Sequence, residues 1–295
     1  MSHEFCSRLA QQVHGVFAGT GVKGRAYVFL PVDKRLWGHA EINPRWAAPS
    51  DVAAIKAARR SGVIVRLYDP ADAGSPVLVH RAPDTGLSEE EALQRLLEGL
   101  AAKDWPIQSE TLPILALCTQ GTRDRCCAKW GFQVYRRALQ LHAAGRLPFR
   151  PIECSHLGGD RFAATGIVFP SGSMYGHLDQ VDLEALGAIE AADGFLVDHY
   201  RGRVFESPVV QVVRAGLARE GIDLGATSPI ILLRHDPEAG TAEVQVGSRH
   251  LVVELGSEEL RFFGDCEAVE EGKRSRATRI VYRGHRSMTD VGDQA

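Results

Sequence analysis

Four of the chain's six cysteines, Cys118, Cys126, Cys127 and Cys154, crowd into one stretch that also holds His156 and Asp160. Cys6 and Cys266 lie far away on either side and read as small buried hydrophobes. Six thiols are too few for a disulfide scaffold in a chain of this length, so their clustering points to metal or redox chemistry. Cys118 and Cys127 stand nine positions apart across a polar segment, 119–125 (TQGTRDR), that opens a helix. Two thiolates so placed can converge on one metal centre. The helix start offers partial positive charge. Arg123, Arg125, Lys129, Arg136 and Arg137 outnumber Asp124 over residues 121–137, a surplus that favours thiolate and an anionic cluster. Gly158 and Gly159, between His156 and Asp160, let the backbone take positive φ and approach a bulky inorganic group. Zinc sites more commonly use C-x2-4-C, which this spacing is not.

These residues fall at the ends of predicted elements. The segment LPILALC is a short buried strand ending on Cys118, and FRPIECSH is a second strand ending at His156. Between them lies a helix that stops at Gly145. IVFP and MYGHL read as a hairpin, and helices follow at about 181–192 and 208–220. The second of these has Ser207 as N-cap and Pro208 at its first position. Upstream, RAYVFL, VIVRLYD and PVLVHR are strands. They alternate with a helix at 51–60, N-capped by Ser50, and a helix begun by a Ser88–Glu91 capping box. Downstream, IILLRH, AEVQV and HLVVEL read as antiparallel strands, and from 284 no apolar period remains. The expected organisation is α/β: an N-terminal lobe (1–105), a second α/β domain with the thiols (106–225), a β-rich segment (226–283) and a frayed tail (284–295). No internal repeat is visible in the sequence.

The segments CTQGTRDRCCAKWG and ECSHLGGDRFAATGIVFPSGSMYGHLD together resemble the signature of sucrase/ferredoxin-like proteins. RAYVFLPVDKRLWG resembles that family's first strand and Trp-Gly turn, and YRGRVFESPVVQVVRAGLARE its C-terminal helix, so the similarity spans most of residues 6–270. The resemblance implies a thioredoxin-like ferredoxin core carrying a 2Fe–2S cluster for electron transfer or redox sensing; it does not imply sucrose cleavage. It maps the family's two cysteines onto Cys118 and Cys127, its Arg-Asp pair onto Arg123 and Asp124, and its first histidine onto His156. The second histidine falls on Asp160, and Gln120 replaces an early histidine. The fourth ligand is therefore open between Asp160, Cys154 and Cys126. Arg123, Asp124, Lys129, Gly158 and Gly159 are expected to surround the cluster.

A net charge of −3 argues against a nucleic-acid or membrane-surface partner. No apolar run is long enough for a membrane span, and the N-terminus lacks a signal-peptide pattern, which makes the cytoplasm the expected address. Without a nicotinamide or flavin motif, electrons would come from a redox partner protein or a small thiol. Two other functions fit the same residues. One is a cluster-free thiol–disulfide oxidoreductase using Cys126, Cys127 and Cys154; the other is a structural zinc protein.

Overall fold

The computed structural model describes residues 4–13, 18–72, 74–83, 86–109 and 113–288. A short helix α1 (Cys6–Val13) precedes the first half of the fold. That half runs β1 (Ala26–Pro31), α2 (Pro49–Arg60), β2 (Val63–Tyr68), β3 (Val77–Arg81), α3 (Leu87–Gly99) and β4 (Ile107–Ser109). The second half runs β5 (Ile114–Cys118), a wide π-turn Cys127–Gly131 leading into α4 (Phe132–Ala143), β6 (Arg150–Cys154), β7 (Gly166–Phe169) and β8 (Ser173–Tyr175). It ends with α5 (Leu183–Ala191), β9 (Tyr200–Arg203) and α6 (Pro208–Arg219). A C-terminal arm follows: β10 (Ile230–Asp236), β11 (Thr241–Val246), β12 (Arg249–Phe262), α7 (Cys266–Glu270) and β13 (Ser275–Ser287). The architecture is mixed α/β, as expected.

The first nine strands form one sheet in the order β4-β3-β1-β2-β6-β5-β7-β8-β9, and the last four form an antiparallel sheet β10-β11-β12-β13. The large sheet has two matching halves. In each, a strand–helix–strand crossover pairs in parallel (β1 with β2, β5 with β6), and a third strand joins antiparallel on the far side (β3, β7). The halves meet at one bridge, Tyr68 opposite Cys154. A sheet spaces its strands about 4.8 Å apart, so β3 and β7, five places apart, would stand roughly 24 Å from each other if it were flat. Yet His80 of β3 stacks on Phe169 of β7 at 4.2 Å, and Tyr27 and Phe29 of β1 also meet Phe169. The sheet therefore folds over at the β2–β6 seam, and its halves face each other.

This doubling explains why the central strands are continuous apolar runs rather than alternating ones. Tyr27, Phe29, Ile114, Ala116 and Cys118 fill the layer between the halves. Val28 and Leu30 face α2 and α3, packing with Ile55, Leu93 and Leu96. Leu115 and Leu117 face α4, packing with Val134 and Ala138. Both faces of β1 and β5 are thus buried.

Several local expectations shift. Helix α2 begins at Pro49 with Ala48 as N-cap, not at Ser50, because the Asp51 carboxylate accepts the Ala48 N–H at 2.8 Å and Pro49 is preset for the first helical position. Ser88 lies inside α3, whose N-cap is Gly86, and its hydroxyl bonds Glu89. β4 lies just beyond the expected lobe boundary at 105 and pairs with β3. β13 continues to Ser287, past the expected tail start at 284, and the remainder of that tail from 289 lies outside the described residues. Ser207 caps α6 as expected, accepting the Val210 N–H. Among the described residues no helix is long and apolar enough to cross a membrane.

Candidate metal centre

All six cysteines are buried thiols, and they sort into groups by the turn at 119–131. Cys118 closes β5, Cys127 opens the π-turn, and their Sγ atoms lie 3.3 Å apart. What brings them so close is Gly131. A Cβ there would sit 2.0 Å from the Cys118 carbonyl oxygen, so only glycine lets the turn lie against the strand end.

His156 follows the end of β6, and its N–H is held by Gln120 Oε1 at 2.8 Å. Gln120 is itself buried and donates to the Gly38 carbonyl at 2.6 Å. The residue that replaces an expected histidine therefore positions the one that is present. Gly158 and Gly159 both take positive φ and turn the chain so that Asp160 comes back beneath His156. The space a Cβ would need at Gly158 is filled by Val22, and at Gly159 by Phe162 and Arg201; their close approach is to protein side chains rather than to an open cradle. Asp160 Oδ1 lies 3.0 Å from His156 Nδ1 and 3.6 Å from Cys127 Sγ, and Arg123 Nε stands 3.6 Å from its other oxygen.

One donor atom each from Cys118, Cys127 and His156 fall within 4.8 Å of one another. Hydrogen bonding with Cys127, and after it with His156, holds the Cys118 thiol down at about 5 against burial. Cys127 is raised well above its ordinary value in return. Burial opposes charge on His156, but Asp160 and Cys118 outweigh it and hold the imidazole up at about 9.

The other expected neighbours are placed differently. Cys154 sits in register beside Cys118 on β6; like Asp160 it belongs to neither compact donor group among the described residues, but only Asp160 has a contact with Cys127 and His156. Burial raises the Cys154 thiol well above the ordinary value. Lys129 lies over the rings of Phe5 and Trp130. Cys126 turns away from Cys127. Its Sγ lies 3.5 Å from Cys6 and 3.2 Å from Cys266, and these three thiols with Asp124 form a second set of donors all within 4.8 Å of one another. Asp124 does not pair with Arg123; it accepts the N–H groups of Cys126 and Cys266, each at 2.7 Å. Sequence reasoning set Cys6 and Cys266 aside because nothing local links them. They are separated from Cys126 by 120 and 140 positions and from each other by 260.

The fold is mixed α/β, and it gathers buried thiols and an imidazole into groups that could hold a metal ion. The family model for sucrase/ferredoxin-like proteins matches residues 28–202, more than half of the chain and all of the first donor group. The chain belongs to the sucrase/ferredoxin-like family. No curated protein and no solved structure matches it.

Proposed function

We propose that Cys118, Cys127, His156 and Asp160 hold a 2Fe–2S cluster and that the protein carries single electrons. The observation that carries this reading is the convergence of two thiols, an imidazole and a carboxylate at the ends of β5 and β6. Two thiols stand 3.3 Å apart, and an imidazole and a carboxylate stand 3.0 Å apart. Replacement of thiolates by imidazoles on one of two irons is the pattern of high-potential two-iron centres. The strand order β6-β5-β7-β8, with a crossover helix between β5 and β6, supports the thioredoxin-like core that the motifs imply. The cluster, when bound, supplies reversible one-electron chemistry.

The chain's own residues set how that chemistry reaches a partner. The two thiols are 1% and 2% exposed, while the His156 side chain is 22% exposed, so the imidazole is the donor that faces solvent. Beside the Cys118 strand end lies a groove of about 480 Å³ lined by Lys34, Trp37, Thr119, Gln120 and Phe132, a place where a redox partner protein can rest near the site. Arg123 offsets the negative charge of Asp160 and the thiolates. Burial of Cys126, Cys127 and Cys154 speaks against thiol–disulfide exchange through them, which needs an accessible sulfur for attack.

Anaerobically purified chain should contain about two irons and two acid-labile sulfides and show red-brown visible absorption. Cys118→Ser and Cys127→Ser should abolish both, and Asp160→Ala should shift or bleach the spectrum while Cys154→Ala leaves it unchanged. A folded protein with zinc alone in the Cys118 group would overturn the reading, as would a native spectrum in Cys118→Ser.

A further inference from the structure

We propose that Cys6, Cys126, Cys266 and Asp124 form a second metal site that binds one zinc ion and clamps α1 and the C-terminal arm onto the cysteine-bearing turn. It shares no donor with the first group, and Cys6 and Cys266 lie outside the segment matched by the family model, so the site is not implied by family membership.

Geometry selects the ion. The three Sγ–Sγ distances are 3.2, 3.5 and 3.8 Å, and Asp124 Oδ1 lies 3.3 Å from Cys266 Sγ. Thiolates bound to one tetrahedral zinc at about 2.3 Å stand about 3.8 Å apart. The sulfurs are thus arranged around one centre, slightly drawn in, and far from the roughly 2.05 Å of a disulfide. Three thiols and one carboxylate converging on one point make up the four-donor set of a single tetrahedral ion. Thiolate-rich, tetrahedral donor sets suit zinc.

The surroundings are those of a structural site. Cys6 and Cys126 are fully buried, Cys266 is 3% exposed and Asp124 5%, so no position is left open to substrate. The Asp124 carboxylate is fixed by the two backbone N–H groups it accepts, and Ser7 Oγ donates to Cys126 Sγ at 3.3 Å. Such outer contacts orient metal ligands. Arg125 and Arg161 stand near enough to Cys266 and Cys6 to offset the excess negative charge of three thiolates and a carboxylate on one divalent ion.

The site also answers a structural need. The α7 tip of the long β12–β13 hairpin reaches the turn at 124–126 from the far end of the chain, and α1 arrives from the other end. The one ion pair joining the tip to the turn among the described residues, Arg125 with Glu270 at 2.5 Å, is largely exposed and holds little by itself. An ion bound by Cys6, Cys126 and Cys266 would tie all three segments at one point.

The test is metal analysis of the full chain purified from medium containing both zinc and iron. About one zinc per chain should survive gel filtration, disappear in Cys6→Ser and Cys266→Ser, and persist in Cys118→Ser. Amide hydrogen exchange in α1 and α7 should quicken about tenfold or more in Cys266→Ser, with little change in α2 and α3. Should the Cys266→Ser chain not fold, cobalt(II) added to metal-stripped Cys118→Ser chain decides the matter. Thiolate-to-cobalt charge transfer with strong tetrahedral ligand-field bands supports the site, and their absence overturns it. Wild-type chain with no retained zinc, or zinc lost with Cys118→Ser and kept by Cys266→Ser, would also overturn it.

Discussion

Gly131→Ala tests the first metal centre without touching a ligand. Gly131 has ordinary helical dihedrals, so the change costs nothing in backbone conformation and by helix propensity alone would stabilise by up to about 1 kcal/mol. The obstacle is steric. The new methyl carbon would lie 2.0 Å from the Cys118 carbonyl oxygen, where real contacts do not fall below 3.0 Å, so turn and strand must separate by about 1 Å. Cys127 rides on the same turn. Its 3.3 Å distance to Cys118 would open to about 4.3 Å, beyond the roughly 3.8 Å that two thiolates on one tetrahedral metal can span. Overpacking of this kind costs about 1–3 kcal/mol in stability, and misplaced ligands cost about tenfold or more in metal affinity. Gly145→Ala supplies the control. At φ +70° it strains the backbone by roughly 1–2 kcal/mol, but nothing lies within 4 Å of the added carbon. Iron per chain, visible absorbance and thermal midpoint should be measured on both variants. Gly131→Ala should lose the metal and Gly145→Ala should keep it at comparable loss of stability. A Gly131→Ala chain with full iron content and an unchanged spectrum would refute the argument that this glycine sets the thiol spacing.

Two buried titrating groups outside the thiol clusters give predictions of opposite sign. Burial pushes Glu190 up from 4.5 to about 7, where it receives hydrogen bonds from Ser171 and Tyr175. An acid with a raised folded-state pKa loses stability as pH climbs from 4.5 through 7, here by at most about 3 kcal/mol. Glu190→Gln should therefore raise the thermal midpoint at pH 8 relative to wild type but not at pH 5; equal differences at both pH values would contradict this. Burial likewise lowers His80 from 6.5 to about 4 where it stacks on Phe169. A histidine so depressed costs stability as pH falls from 6.5 towards 4, by up to about 3 kcal/mol. His80→Phe should shift the acid-unfolding midpoint, followed by circular dichroism, to lower pH, and an unmoved midpoint would exclude this histidine as a cause of acid lability.

What could be read from the sequence was local. RAYVFL reads as a strand and LPILALC as a short buried one, and β1 and β5 are strands buried along their whole length. Cys118, Cys127, His156 and Asp160 fall at strand and turn ends, and a short polar segment or a pair of glycines brings them together. The fold-over at Tyr68–Cys154 was not legible, since an apolar run shows that a strand is buried but not by what. Nor was the grouping of Cys6 with Cys126 and Cys266, which depends on the whole chain having folded. β13 escaped notice for a different reason: its residues run from exposed to half-buried with no clean alternation, so the two-residue period that marks a strand is missing.

The strand order has a consequence for how the molecule avoids sticking to its own copies. An open sheet edge presents unpaired backbone groups that invite strand addition. In the large sheet the edge strands are β4, of 3 residues, and β9, of 4, too short to template much pairing. The small sheet's edges are longer and are guarded by other means. β10 carries apolar Ile231 and Leu233 outward but is broken by a bulge between Leu232 and Arg234. β13, of 13 residues, carries Arg276, Arg279, Arg283 and Arg286, so that a second copy adding alongside would bring rows of like charge together. Long hairpins are aggregation-prone in proportion to their bare edge, and here the longest edge is also the most basic.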